Sequence, residues 1–359
     1  MLPRVDPDPL TDDHGSESLF NRLRPAVRGG GFAMDGYWVW CPSVIRAEDG
    51  TYAMFASRWP KTLPFHPGWM MASEVVLATS PTPEGPYVFR QVVLPARGAQ
   101  YWDGRAAHNP RIVRHADGYA LFYTGISHPL PDVPEGAQLT TDDPCVTVAR
   151  SSKRVGVAFA KSIYGPWERL DDPILPTRPR TFYSYLTSNP APCVMADGSV
   201  QLIFKSRSHR GDSHGEMLLG LARAKDIRGP YQVAGRLRVT GATGEGELED
   251  PCVWHDGDGF ELIAKDMSGA LCGEAGGGVH VSSRDGLNWQ RADGSGLAWS
   301  RKVTWDDGTD DHLGSVERPF VLFNENGEAT HLFAAVGDGP GSFVSMTKSW
   351  NICMPLARA

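Results

Sequence analysis

The chain has 359 residues, of which 41% are hydrophobic, and it contains 40 glycines and 28 prolines. This composition predicts a globular protein with a large core and many turns, organised as one large or two ordinary domains. The formal net charge of −7 and the lack of a basic tract argue against a nucleic-acid partner. No apolar run of 18 residues is present, which argues against a membrane span.

The chain begins with a polar segment, residues 1–30, which is rich in proline and aspartate and lacks the apolar stretch of a signal peptide. The six cysteines, at positions 41, 145, 193, 252, 272 and 353, show no CxxC or paired spacing. Three of them, Cys41, Cys193 and Cys252, fall in or beside predicted strands, where cysteine usually serves as a small buried residue. We therefore expect a cytoplasmic protein, or a periplasmic one if a leader was removed.

Beyond this segment the sequence contains a repeat with five copies. Each copy has a residue directly before a proline, then an apolar run, then an Asp-Gly or Asn-Gly turn eight residues after the first residue. A second turn follows in four copies, in the form Gly-Pro-aromatic or, in copy four, the weaker Gly286-Leu287-Asn288-Trp289. The residues before the prolines are Cys41, Asn109, Asn189, Asp250 and Arg318.

Each copy predicts four strands separated by a tight turn, a variable loop and the Gly-Pro-aromatic turn. A four-stranded unit that repeats radially is a propeller blade. Five copies therefore predict an all-β, five-bladed β-propeller over residues 31–359, with antiparallel blades around a central channel. A β-sandwich with chance prolines is the alternative, but it does not explain the constant eight-residue offset.

In chain order, the second strand of blade 1 is expected at 52–56, and a long loop follows from 60 to 72. Blade 2 carries the longest insertion, roughly 125–153. Blades 3, 4 and 5 start at 189, 250 and 318, with second strands that end near 207, 266 and 338. The inserted loops of blades 1 and 2 are expected to form walls, with Trp38, Trp59 and Trp69 as apolar faces for a sugar ring.

The geometry of a propeller predicts where these sequence positions lie in the fold. The first strand of each blade lines the channel, and the loop after the second strand returns to the same face. We therefore expect the five residues before the prolines and the ends of the second strands to surround one pocket. The predicted binding residues are Trp40, Arg58, His108, Asn109, Asn189, Lys205, Lys265, Asp266 and Arg318.

Three carboxylates, Glu249, Asp250 and Glu317, fall on this predicted rim. Hydrolysis of an acetal needs one carboxylic acid to protonate the leaving oxygen and one carboxylate to activate water or attack carbon. Neighbouring cations can hold the two pKa values apart. The alternative is that these carboxylates make structural hydrogen bonds at strand entries.

The blade pattern, with its Glu249-Asp250-Pro251 and Glu317-Arg318-Pro319 starts, resembles the five-bladed propeller glycoside hydrolases. These are the family 43 arabinanases and β-xylosidases, the family 117 anhydro-galactosidases and, more distantly, invertase-like enzymes. The resemblance implies a hydrolase that acts at the end of an oligosaccharide, without a cofactor, although a structural calcium at the propeller axis fits the resemblance. It also implies a general acid two residues before a proline, as Glu249 and Glu317 are, and a tuning aspartate directly before one, as Asp250 is.

In the arabinanase-like group the base is an aspartate directly before the first-blade proline, and this chain has Cys41 there. Asp35 and Asp103, each six residues before the repeat residue of its blade, are the candidate replacements, with Asp35 slightly ahead. Each precedes a glycine, so a turn cap is the alternative. His108 is a third candidate, as an acid or as a packed rim residue. Since these families invert configuration, the resemblance implies inversion, with one carboxyl from blade 4 or 5 and its partner from blades 1–2.

Other chemistries find less support. The sequence has no HExxH or CxxC zinc spacing and no Gly-x-Ser-x-Gly, and the glycine-rich stretch 273–278 precedes no predicted helix. Two alternatives stay open: a phosphorylase that binds phosphate through Lys205, Arg207 and Arg58, and a sugar-binding propeller without activity. The sequence does not reveal whether the sugar is acidic, sulfated or neutral, nor the oligomeric state.

Overall fold

The computed structural model describes residues 18–134, 136, 138–240, 247–292, 295–339 and 343–358. Residues 1–17 of the predicted N-terminal segment therefore lie outside the described residues. The described chain begins with a single helical turn, α1 (Leu19–Arg22), and continues into five antiparallel sheets arranged as a propeller. The predicted all-β, five-bladed architecture is confirmed.

Blades 1 and 2 have the four predicted strands in sequential order. Between its second and third strands each carries a helix, where the sequence predicted a loop. These helices, α2 (Phe65–Ala72) and α3 (Pro144–Ser152), pack against each other. Blade 1 consists of β1 (Tyr37–Arg46), β2 (Tyr52–Pro60), β3 (Glu74–Ser80) and β4 (Val88–Leu94). Blade 2 consists of β5 (Ala106–His115), β6 (Gly118–Ile126), β7 (Arg154–Ala160) and β8 (Glu168–Arg169).

Blades 3 and 4 keep the same plan with small additions. Blade 3 contains β9 (Leu186–Val194), β10 (Val200–Arg207), β13 (Leu218–Ala224) and β14 (Gln232–Arg236), plus a two-stranded hairpin of β11 (His209–Arg210) and β12 (Ser213–His214). Blade 4 contains β15 (Arg238–Val239), β16 (Leu248–His255), β17 (Phe260–Asp266), β18 (Gly278–Ser283), β19 (Asn288–Arg291) and β20 (Leu297–Trp299).

Blade 5 differs from the others because only three of its strands follow one another in the sequence. A hairpin of β21 (Lys302–Thr304) and β22 (Asp310–His312) precedes it, and the blade itself consists of β23 (Ser315–Phe323), β24 (Ala329–Asp338) and β25 (Lys348–Pro355).

Residues 22–32, here called the N-terminal strap, lie along β25 in the place of a fourth strand. Phe32 and Asn351 exchange two backbone hydrogen bonds, and the N–H of Val27 donates to Cys353 at 3.1 Å. Gly31 has a φ of +67°, and a Cβ there would lie 1.8 Å from the carbonyl oxygen of Asn351. Only glycine therefore fits at this contact. The closed ring thus uses residues before position 31.

The core lies between neighbouring blades rather than around the channel. Apolar side chains of adjacent sheets form one buried cluster in each of the five interfaces. Phe55 of blade 1 and Leu121 of blade 2, for example, pack in the same cluster. The second strands are buried on both faces, which explains their nearly continuous apolar sequence.

The structure also bears on the cysteines and on membrane insertion. All six cysteines are free, and Cys41, Cys193 and Cys252 are buried as predicted. Within the described ranges, no helix combines the length and the apolar character needed to traverse a bilayer.

Candidate active site

The first strands of the blades, β1, β5, β9, β16 and β23, contact one another in cyclic order and so line the channel. In each strand the residue before the proline has a positive φ, from 49° to 59°. The strand pairing also shifts register there, as in a β-bulge. A bulge redirects side chains, and positive φ is unusual for residues other than glycine. The residues in this ring are Cys41, Asn109, Asn189, Asp250 and Arg318.

The residue two positions before each proline pairs across its blade with a residue of the second strand. These pairs are Trp40 with Ser57, His108 with Thr124, Ser188 with Lys205, Glu249 with Lys265, and Glu317 with Ala335. In four blades the second-strand residue then bonds to the following blade. The five blades therefore present equivalent positions to one mouth, and their side chains decide its chemistry.

Blades 1 and 2 use hydroxyls for this link. Ser57 Oγ accepts the N–H of Asn109 at 3.1 Å, and Thr124 Oγ1 accepts the N–H of Asn189 at 3.0 Å. Blades 3 and 4 use ammonium groups instead. Lys205 binds Glu249, and Lys265 binds Glu317. One half of the mouth is therefore neutral and the other half is charged.

The charged half holds three buried carboxylates, each with its own cation. Glu249 and Glu317 have their lysines, and Arg318 Nη1 binds Asp250 Oδ1. Asn189 also donates to Asp250 Oδ1 at 2.6 Å, and Arg318 Nη1 lies 4.0 Å from Glu249 Oε1. The predicted carboxylates and their predicted cations are thus brought together by blades 3, 4 and 5.

The surroundings move the pKa values of two neighbouring carboxyl groups in opposite directions. Burial alone would raise the pKa of Glu249, but Lys205, Arg318 and Lys265 outweigh burial and hold this pKa well below its ordinary value. Burial raises the pKa of Asp250 to about 6, against the pull of Arg318 and with the help of Glu249 and Glu317. Carboxyl groups separated in this way suit acid–base work.

The neutral half contains a hydrogen-bonded chain. Ser73 Oγ donates to the carbonyl of Ala107 at 3.0 Å, so it accepts from His108 Nδ1 at 2.8 Å. His108 Nε2 then faces the thiol of Cys41 at 3.5 Å as an acceptor. Burial, together with Arg318 and Lys153, holds the pKa of His108 well below its ordinary value. Burial also raises the pKa of Cys41 to about 12. Both groups are therefore neutral, and His108 is not a ready proton donor.

Helix α2 covers the neutral half. The ring of Trp69 stacks on His108 with centroids 4.6 Å apart, and Phe65 packs edge-on against Trp40 at 4.9 Å. Trp38 and Trp59 are buried in the same cluster. Trp40, Trp38 and Trp59 thus serve mainly as core, whereas Trp69 lies over His108.

Two residues predicted to lie at the pocket, Arg58 and Asp103, lie away from it, which corrects these predictions. The guanidinium of Arg58 stacks between Tyr37 and Phe89 and pairs with Glu74 at 2.8 Å, on the outer part of blade 1. Asp103 is fully buried, with bonds to Arg97 (2.6 Å), Arg169 (3.2 Å) and the hydroxyl of Tyr123 (2.7 Å). Its two oxygens are thus engaged in a structural cluster, and Asp103 is not a rim base.

Three further predicted residues have separate surroundings: a loop, the ring and an exposed turn. Asp266 accepts the backbone N–H groups of four residues of the following loop, at 268, 269, 271 and 272, and so shapes that loop. Asn109 lies in the ring with its N–H bound to Ser57. Asp35 occupies an exposed turn before β1, and the strand from Tyr37 to Cys41 alone spans about 13 Å. No described contact links Asp35 to the pocket.

Sequence reasoning missed two cations near the channel, Arg111 and Lys153. The guanidinium of Arg111 crosses the channel, 3.5 Å from the carbonyl of Pro42 and 3.3 Å from that of Pro251. A calcium ion at this place would face a positive charge, and the described residues contain no cluster of three or more metal-binding side chains. These residues therefore do not fit an axial calcium. The sequence offered one indication that Arg111 lies at the channel: it stands two residues after Asn109 on a channel-lining strand.

A cavity of about 250 Å³ opens beside Lys265 and Glu317 and is lined also by Arg301 and Phe343. A larger cavity, of about 420 Å³, lies beside the N-terminal strap and contains none of the three carboxylates. We place the candidate site at the smaller cavity because one buried carboxylate of the charged half, Glu317, and its cation, Lys265, line it.

The raised pKa of Asp250 predicts an effect of pH on stability. The folded value, about 6, lies above the ordinary 3.8, so between these values the folded state binds more protons. The contribution of Asp250 is therefore complete below about pH 3.8 and is lost as the pH rises through about 6, a change of about 3 kcal/mol. Asp250→Asn is expected to remove this part of the pH dependence of the unfolding free energy in urea titrations. An unchanged dependence between pH 4 and 6 would contradict the assignment.

No family model matches the sequence, and no curated protein matches it. Solved structures do match in fold. Zg3597, a family 117 glycoside hydrolase of the marine bacterium Zobellia galactanivorans, has a TM-score of 0.65 and 16% identity over 94% of this chain and 91% of its own. BT0996, solved as an RGII complex, has a TM-score of 0.65 and 14% identity over 94% of this chain and 92% of its own.

The native arabinanase Arb43A of Bacillus subtilis is also similar, with a TM-score of 0.55 and 12% identity over 88% of this chain and 92% of its own. At such identities the likeness concerns the fold. The resemblance predicted from the blade pattern is confirmed at that level: this chain has the five-bladed propeller fold found in glycoside hydrolases of families 43 and 117.

Proposed function

We propose that this protein is a glycoside hydrolase that cleaves a terminal glycosidic bond of an oligosaccharide. The observation that carries the proposal is the group of three buried carboxylates, Glu249, Asp250 and Glu317, each bound by its own cation at one mouth of the channel. Such a group supplies both an acid and a base for acetal hydrolysis. The fold shared with named glycoside hydrolases supports it.

Within this site we assign Glu317 as the general acid. Its Oε1 binds Lys265, whereas its Oε2 is buried and has no hydrogen-bond partner among the described residues. Glu317 also lines the 250 Å³ cavity, where a leaving oxygen would lie. Glu249, which Lys205 and Arg318 keep ionised, is the second carboxylate. Asp250 holds Arg318 in place, and neither Asp35 nor Asp103 is needed.

The proposal includes inversion of configuration. Glu249 and Glu317 stand on different blades, and each is bound by a separate lysine rather than by the other carboxyl. An inverting pair needs a separation of roughly 6.5–9.5 Å between its carboxyl groups to admit a water. Proton NMR of the first-formed anomer tests this part, because retention of configuration would exclude it.

The experiment that tests the function is a hydrolysis screen of 4-nitrophenyl glycosides and short oligosaccharides, with and without inorganic phosphate. We expect release of one terminal sugar at a rate that does not depend on phosphate. A phosphate requirement would indicate a phosphorylase. The geometry disfavours that alternative because Arg58 lies on the outer part of blade 1, away from Lys205.

One observation favours a second candidate, a sugar-binding propeller without activity. Cys41 stands where the resemblance places the base, and its raised pKa keeps the thiol neutral. Tight binding of a sugar with no turnover of any glycoside in the screen would support this second function and overturn the first.

A further inference from the structure

The connection that precedes the third strand is equivalent in blades 1 and 2. Helix α2 ends at the C-cap Ser73 and helix α3 ends at the C-cap Lys153. The carbonyl of Ser73 accepts the N–H of Ala107 at 2.9 Å, and the carbonyl of Lys153 accepts the N–H of Thr187 at 3.3 Å. Ser73 and Lys153 therefore occupy the same position in successive blades.

The two side chains differ in what they bind. Ser73 completes a hydrogen bond to His108 of the next blade. Lys153 is only 6% exposed, yet its ammonium has no hydrogen bond or ion pair with the described residues. Its Nζ lies over the ring of Trp69, 5.1 Å from the ring centroid. Ser188, the counterpart of His108 in blade 3, likewise has a buried Oγ without a partner in the described chain.

The charges around Lys153 do not neutralise it. Lys205, Arg150 and Arg318 act on it as like charges, and Glu249, a carboxylate that favours its charge, is already bound by Lys205. Burial, with Arg150 and Lys153, also lowers the pKa of His66 to about 4, so this imidazole is neutral and is not a counterion for Lys153. A buried ammonium without a counterion is costly, and burial together with Lys205 and Arg150 therefore holds the pKa of Lys153 well below its ordinary value. An anion bound from solution would remove that cost.

We infer that the sugar bound in this site carries an anionic substituent, a carboxylate or a sulfate ester, which Lys153 binds over the face of Trp69. The inference rests on the proposed function, because it places this sugar in the pocket of Glu249 and Glu317. Arg150, in the last turn of α3, is the second cation on the same side. An ammonium recognises either kind of anion as a point charge.

The test compares matched sugars by isothermal titration calorimetry on the full-length protein. The pairs are galacturonic acid with galactose, glucuronic acid with glucose, and galactose 6-sulfate with galactose. We expect at least one anionic sugar to bind about 10- to 100-fold more tightly than its neutral parent, the range typical of hydrogen bonds to charged groups. A preference for the uronic acids identifies a carboxylate, and a preference for the sulfated sugar identifies a sulfate ester.

Two variants test whether Lys153 is the residue that causes the preference for the anionic sugar. Lys153→Met is expected to abolish the preference for the anionic sugar while the affinity for the neutral parent stays within about twofold. Its melting temperature should equal or exceed that of the parent protein, because a buried amine without a hydrogen-bond partner among the described residues has been removed. Lys161→Met is the matched control. Lys161 is exposed at the opposite end of β7, so this variant has the same net charge but an unaltered pocket.

The inference is overturned if no anionic sugar binds, if each neutral parent binds as tightly as its anionic derivative, or if Lys153→Met weakens both to the same extent. If no anionic sugar binds more tightly than its neutral parent but the parent protein hydrolyses neutral 4-nitrophenyl glycosides, the proposed function stands without the anionic substrate. Failure of the proposed function has a different signature, namely tight sugar binding without turnover.

Discussion

Glu317→Gln and Glu249→Gln are each expected to lower kcat by about 10²–10⁴-fold, the range that general acid–base catalysis contributes. An amide at position 317 is not an acid and cannot protonate the leaving oxygen, and an amide at position 249 cannot activate water. Both native carboxyl groups are buried beside a lysine. Each replacement therefore changes charge and proton chemistry while it preserves the shape of the pocket. Steady-state kinetics on the best substrate of the hydrolysis screen measures the effect.

The matched control is Glu325→Gln. Glu325 is an exposed residue of blade 5 that pairs with Arg46 at the surface, and it follows β23 at the end away from Glu317. This variant should retain full activity, and circular dichroism should show the propeller intact in all three proteins. Near-normal kcat in both Glu317→Gln and Glu249→Gln would show that these carboxylates do not perform the chemistry.

The second large effect concerns Arg318. Its guanidinium is buried and binds Asp250, whose other described side-chain partner is Asn189. Arg318→Met leaves the Asp250 carboxylate without its cation, and removal of one member of a buried pair typically costs about 3–5 kcal/mol. Urea denaturation at pH 7 should show a loss of this size.

The double variant Arg318→Met with Asp250→Asn separates this explanation from a simple loss of packing. With no charge left to bury, much of the lost stability should return, because neutral replacement of a whole buried pair is often tolerated. If the double variant is as unstable as the sum of the two single variants, the ion pair is not the origin of the effect. Loss of packing would then account for it.

The fold was predictable because each blade repeats the same short-range pattern. The pattern consists of local features: a proline, an Asp-Gly-type turn eight residues after the residue before that proline, and a Gly-Pro-aromatic turn. Such local features recur whatever the packing. The helices α2 and α3 were missed because both lie in insertions outside the repeat. The N-terminal strap was missed because its partner, β25, lies at the other end of the chain.

The convergence of side chains on one mouth was predictable for the equivalent positions of the blades. Glu249, Glu317, Lys205 and Lys265 converge because each occupies the same place in its blade. The predicted place of Arg58 was wrong because Arg58 is one residue beyond Ser57, the position equivalent to Lys205. Successive side chains of a strand point to opposite faces, so Arg58 points away from the pocket.

The surroundings of Asp103 and Lys153 could not be predicted from the spacing of residues in the sequence. The partners of Asp103, Arg97 and Arg169, come from two other segments of the chain. The place of Lys153 depends on how α3 returns to the propeller.

The closure of the ring by the N-terminal strap has a consequence for the order of folding. Blade 1 also depends on the end of the chain, since the N–H of Val39 donates to the hydroxyl of Ser349, 310 positions away. During synthesis, blades 1 to 4 can form while the chain emerges, but the strap and one flank of blade 1 have no partner until β25 leaves the ribosome. Closure is therefore a late step that depends on contacts of very long range. Until then the strap segment and the open flank of blade 1 are the surfaces most exposed to aggregation and to chaperones.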